Sequence, residues 1–119
     1  MKKEIETEEN IKFLVETFYA KVDQDELLAP IFKKAIGDDW SDHLDKMYKF
    51  WGTQLLGTSS YFGAPFPKHA VLQIKKEHFE RWIAIFIQNI DEHFYGLKAQ
   101  LARQKALNIA QVFMGKMGL

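Results

Sequence analysis

The sequence predicts an all-α fold, and three features of its 119 residues carry that expectation. Apolar residues recur with the i, i+3, i+4 rhythm of an amphipathic helix over most of the chain. Strand-like alternation is found nowhere. Glycine and proline fall mainly in the gaps between the periodic stretches, at Gly37, through Gly57–Pro67 and at Gly96.

Each helix has its own justification. Thr7 caps the first, with Glu8 and Glu9 favourably placed against the dipole of the opening turn. Ile11, Leu14, Val15, Phe18, Tyr19 and Val22 form its apolar stripe. A short second helix begins near Asp25, carries Leu27, Leu28, Ile31 and Phe32, takes Pro30 in its first turns and ends at Gly37. Asp38 or Asp39 opens a third helix, running to about Leu56. At 100° per residue, His43, Met47 and Phe50 lie within about 60° of one another on it. Trp40, Leu44, Trp51 and Leu55 widen that face. A fourth helix spans about Lys75 to Phe94, with Phe79, Trp82, Ile83, Phe86, Ile87 and Ile90 at helical spacing. The last runs from about Leu97 to Met117 and is expected to bury Ala102, Ala106, Ile109, Ala110, Phe113 and Met117. Its small residues predict close packing against another helix.

Composition narrows the function. Lysine and arginine together equal aspartate and glutamate at 16 each, so the basic surplus of a duplex-binding protein is missing. No apolar run approaches the roughly 20 residues of a membrane span, and the charged start Met1–Glu6 lacks the apolar stretch of a signal peptide. Without cysteine there is no disulfide, thiolate zinc site or covalent c-type haem attachment, so a reducing cytoplasm is the default compartment. Residues 1–119 are expected to form one domain with a single core.

The histidines His43, His69, His78 and His93 follow Trp40, Phe66, Lys75 and Ile90 by three residues. The Glu-x-x-His pairs of di-iron bundles are therefore absent, as are the His-Glu-x-x-His zinc helix, the P-loop and the dinucleotide glycine pattern. What remains is a set of apolar helical faces interrupted by Tyr19, His43 and Trp82, with His69 on the aromatic-rich Gly57–Pro67 loop's far side. Such groups need hydrogen-bond partners when buried. A haem, flat and apolar with a metal needing one imidazole, would fill a cavity so lined. A helical core holding satisfied histidines reads the same residues without a cofactor.

Phe18-Tyr19-Ala20-Lys21-Val22, Pro30-Ile31-Phe32, His43-Leu44-x-x-Met47, Phe50-Trp51-x-x-x-Leu55-Leu56-Gly57, Tyr61-x-Gly63-x-Pro65-x-x-x-His69 and His78-Phe79-x-x-Trp82 occur in this order. Together they resemble the truncated haemoglobins, specifically their third group, over nearly the whole chain. The glycine pairs of the other truncated groups are missing, in agreement with that assignment. The resemblance implies a two-over-two helical sandwich around haem b. It makes His69 the proximal iron ligand and Tyr19, Trp82 and His43 the distal residues, His43 either donating to the ligand or gating the pocket. Phe32, Met47, Phe50, Tyr61, Leu72 and Phe79 would wall the haem, and Lys46 would meet a propionate at the rim. His78 and His93 read as ordinary.

The function so implied is binding of dioxygen at a five-coordinate iron, with carbon monoxide, nitric oxide and peroxide as further small ligands. Nitric oxide dioxygenation or peroxide-linked oxidation, served by an unidentified reductase, would follow from a strongly hydrogen-bonding distal side. No nucleic acid or membrane insertion is expected. Two other classes compete: an electron carrier whose sixth ligand is His43 or Met47, and a cofactor-free helical interaction module.

Overall fold

The computed structural model describes residues 2–57 and 74–119. Five helices make up the described chain: α1 (Glu8–Gln24), α2 (Ala29–Ile36), α3 (Ser41–Leu56), α4 (Lys76–His93) and α5 (Leu97–Met117). Helix α1 packs on α3 and on α4, α4 packs on α5, and α3 meets α5, so the helix pairs α1–α3 and α4–α5 face each other. The core sits where they meet.

The first helix starts where its cap is strongest. Thr7 accepts from the Asn10 amide, and the Asn10 side chain accepts in return from the Thr7 amide. This reciprocal pair satisfies two of the helix's otherwise orphaned donors. All six residues of the apolar stripe are buried. The second helix begins four residues later than the periodicity suggested. The Asp25 carboxylate accepts from the amides of Leu27 and Leu28, which holds the chain in a turn before Pro30 enters the first helical turn. Gly37 closes α2 at φ 94°, ψ −160°, a conformation that only glycine adopts without strain. Asp39 then accepts from the Ser41 amide and hydroxyl, and α3 follows.

The last two helices fall within one residue of expectation. Their burial patterns do not coincide with it throughout. On α4, Ile85 and Asn89 are buried and Ile83 and Ile87 only half-buried. On α5 the buried stripe is alanine alone, at Ala99, Ala102, Ala106 and Ala110, while Ile109, Phe113 and Met117 flank the core half-exposed. A methyl-only stripe brings α5's backbone close to its neighbours, which pushes larger side chains to the margins.

Two polar devices lie outside any periodicity. Lys3 N–H donates to His93 carbonyl and Tyr95 N–H donates to Lys3 carbonyl, both at 3.0 Å. This parallel bridge carries Ile5 into the core. Fully buried Asn89 donates to Leu14 carbonyl and Thr17 hydroxyl and accepts from Lys21 Nζ at 2.9 Å, stitching α4 to α1. Lys21 completes the seam with Glu92 at 3.1 Å.

Candidate functional site: a phenol–imidazole pair among aromatic rings

Adjacent residues on α1 face different neighbours. Phe18 lies edge-on to Trp82 (ring centroids 5.8 Å) and Phe86 (5.2 Å) on α4. Tyr19 lies edge-on to His43 of α3 (5.2 Å), Phe32 of α2 (6.0 Å) and Trp40 (6.2 Å). Perpendicular contacts of this kind place the positive ring edge on a negative face. The result is a continuous aromatic layer joining α1, α2, α3 and α4.

Within it, Tyr19 Oη and His43 Nε2 are 3.0 Å apart. Tyr19 is 4% exposed, and burial pushes its phenol well above its ordinary range, so the O–H persists as a donor. His43 is half-buried; burial first, and the Lys46 ammonium second, bring its pKa from 6.5 down to about 4. The imidazole is therefore neutral at pH 7, and its tautomer decides the direction of the bond. With Nε2 bare, the phenol donates to it. With Nε2 protonated, the imidazole donates to the phenol oxygen and leaves the phenol's own proton available to a third partner. The pair can switch between these states without acquiring net charge.

Trp82 is 2% exposed, and its indole Nε1 is fully buried. Phe32, Met47, Phe50 and Phe79 are all core residues, and Lys46 is exposed one turn along α3 from His43. The structure thus brings Tyr19, His43 and Phe32 into direct contact and links Trp82 to them through Phe18. His69, Tyr61 and Leu72 lie outside the described residues. His78 serves the fold, since its Nδ1 accepts from the Lys75 amide at 2.9 Å and so caps the start of α4. His93 packs edge-on to Phe13 at 5.0 Å. Sequence reasoning assigned Trp40 only to an apolar face; its indole N–H in fact donates to Gly37 carbonyl at 2.8 Å while its ring meets Tyr19. The residue spacing Gly-x-x-Trp after a helix end is the one signal that could have suggested it.

Among the described residues no cluster of His, Cys, Asp or Glu could hold a metal ion. Tyr19, His43 and Trp82 are neutral hydrogen-bonding groups in an otherwise apolar wall, a lining that fits a haem. Helix pairs facing each other around such a wall define a globin of reduced length, and globins bind haem.

The chain belongs to the bacterial-like globin family, whose model matches residues 3–115, and within it to the third group of truncated haemoglobins. It is 37% identical over 117 residues to the group 3 truncated hemoglobin ctb of Campylobacter jejuni, covering 95% of this chain and 92% of that protein. The crystal structure of the group III truncated hemoglobin from Campylobacter jejuni superposes with a TM-score of 0.83 at 32% identity, covering 98% of this chain and 94% of that one. No described helix is long and apolar enough to cross a membrane.

Proposed function

We propose that the protein is a haem b globin that binds dioxygen at a five-coordinate ferrous iron held by His69, with a distal side suited to oxygen chemistry such as nitric oxide detoxification. The observation that carries this reading is the Tyr19–His43 pair at 3.0 Å in an apolar surround. The haem, when bound, supplies a reversible site for a diatomic ligand. Tyr19 donates its proton to the electron-rich end of that ligand, and His43, as the Nε2–H tautomer, donates to the phenol oxygen and fixes its aim. Trp82 offers a second donor from α4. A hydrogen bond to a charged acceptor is worth about 1.5–3 kcal/mol, so two of them slow dissociation by about 10²–10⁴. Holding that firm favours reaction of the ligand over its delivery.

Phe32, Met47, Phe50 and Phe79, with Tyr61 and Leu72, wall the cofactor and exclude water. Lys46, exposed and close enough to depress the His43 pKa, would meet a propionate. A reductase restores the ferrous state, and the cytoplasmic setting expected of the cysteine-free sequence belongs to the same proposal. His43 Nε2 is engaged with the Tyr19 hydroxyl, which favours this reading over an electron carrier bis-ligated through that nitrogen.

The reduced protein is expected to show the broad visible bands of a five-coordinate haem and to shift on adding carbon monoxide. Sharp low-spin bands without added ligand would reject the oxygen binder. His69→Ala is expected to lose stable haem retention; an unchanged stoichiometry and spectrum would remove His69 from the iron.

A further inference from the structure

Beside Tyr19 lies a solvent-facing cleft of about 470 Å³ between α1, the end of α2 and the start of α3. Its apolar wall is Tyr19, Trp40 and Leu44. Glu16, Asp23 and Asp38 supply three carboxylates against the single ammonium of Lys33, which is itself 3.7 Å from Asp23. Tyr19 therefore belongs to two environments at once: its hydroxyl meets His43, and the residue lines a cleft open to solvent.

Trp40 is the other shared element. Its ring stands at 88° to that of Tyr19 with centroids 6.2 Å apart, and it is half-buried with its N–H latched to Gly37 carbonyl. Aromatic rings in contact exchange electrons readily. A phenol gives up an electron only if its proton leaves too, because the phenol cation is a very strong acid. A neutral imidazole nitrogen 3.0 Å from the hydroxyl is placed to take that proton. A second ring series starts at Trp82, which stacks on Phe86 (5.6 Å, 20°), which stacks on Trp51 (4.8 Å, 24°). Both tryptophans are 2% exposed, so among the described residues that series does not reach solvent.

We propose that Tyr19 and Trp40 form an electron relay through which the haem pocket, with hydrogen peroxide as oxidant, oxidises electron-rich aromatic amines held in the cleft against Trp40. The relay rests on the haem reading above. Hydrogen peroxide takes up two electrons and two solvent protons, its O–O bond breaks, and two waters result. Each electron enters the pocket from Tyr19 as its O–H proton passes to His43 Nε2. For this step that atom is the bare nitrogen of the Nδ1–H tautomer, not the Nε2–H form that donates to the phenol. Trp40 then supplies an electron to the phenoxyl, and the proton returns from His43 to the phenol oxygen. The amine in the cleft gives an electron to the indole and leaves as its radical cation, so two amines are consumed per peroxide. The excess of carboxylates selects neutral or cationic donors and repels anionic ones.

The test uses the haem-loaded protein. Treated with hydrogen peroxide in the absence of a donor, it is expected to gain oxygen at Trp40 and not at Trp51 or Trp82, as read by peptide mass spectrometry. In Tyr19→Phe, with haem content checked by the Soret band, Trp40 oxidation should fall to the level of the two buried tryptophans. Trp40→Phe should lose peroxide-driven oxidation of tetramethyl-p-phenylenediamine, and a sulfonated, dianionic donor should be a poor substrate for the parent. Equal Trp40 oxidation in Tyr19→Phe, or undiminished amine oxidation in Trp40→Phe, would overturn the relay while leaving the haem reading intact. A protein that took up no haem would sink both.

Discussion

Acidification should act on His43 before it acts on most of the fold. The folded protein holds this imidazole neutral, with its pKa lowered from 6.5 to about 4, first by burial and then by Lys46. The unfolded chain takes up the proton near the ordinary value, whereas the folded chain resists until much lower pH. His43 thus contributes stability that is fully present above about pH 6.5, is lost as pH falls through the interval to about 4, and changes no further below it. A shift of that size corresponds to about 3 kcal/mol if wholly expressed. Because the ring is half-buried, solvent screening reduces the expected figure to about 1–2 kcal/mol. The measurement is the difference in denaturant-unfolding free energy between the parent and His43→Gln across this pH range, which cancels groups common to both. It is paired with an NMR titration of the His43 ring in the ferrous carbon monoxide form. The difference should shrink with acidification. An imidazole that titrates near 6.5, or two proteins with parallel pH profiles, would refute the buried, neutral assignment.

Other substitutions probe separate parts of the structure. Tyr19→Phe keeps the ring contacts but removes the donor, and oxygen dissociation should accelerate by about 10–150-fold, the equivalent of 1.5–3 kcal/mol; a rate within about twofold of the parent would show that the phenol is not a principal donor. Asn89→Ala strips bonds to Leu14, Thr17 and Lys21 from a fully buried site. It should cost about 2–4 kcal/mol in chemical denaturation, and a loss below about 0.5 kcal/mol would mean that the seam is dispensable. Gly37→Ala forces a side chain onto φ 94° and should cost about 1–3 kcal/mol, with a change in Trp40 fluorescence because the indole is tied to that carbonyl.

Helix positions were legible because they rest on local rules. Thr7 followed by two glutamates, Pro30 early in α2, and the glycines at 37 and 96 each act within a turn of themselves. Burial was less legible wherever it depended on which helix lies opposite. The spacing of α5 places Ala102, Ala106 and Ala110 in the core, but nothing in it tells that alanines alone would take it and leave Ile109, Phe113 and Met117 at its edge. That outcome follows from how near α4 approaches. Asn89 escaped notice for a similar reason: an amide at a core position is an error in isolation and becomes an asset only when Leu14, Thr17 and Lys21 arrive from a helix some seventy residues earlier in sequence. The N-terminal bridge to Phe94 has the same long-range character.

The Tyr19–His43 pair divides along this line too. Tyr19 and His43 were each identifiable as polar interruptions of an apolar stripe, but their bond at 3.0 Å, and the neutrality of the imidazole, exist only once α1 packs on α3 and withdraws both from water. That coupling gives the arrangement its chemical character. A protonated imidazole could not accept from the phenol and would place a half-buried cation beside it, at a cost of about 1–2 kcal/mol, so the resting pair is neutral. No carboxylate of the described structure hydrogen-bonds to either group; the carboxylates around Tyr19 line the cleft instead. Acidic groups line the cleft that Tyr19 shares with Trp40 while its hydroxyl meets a neutral imidazole, so one side chain would serve both the proposed ligand site and the proposed relay.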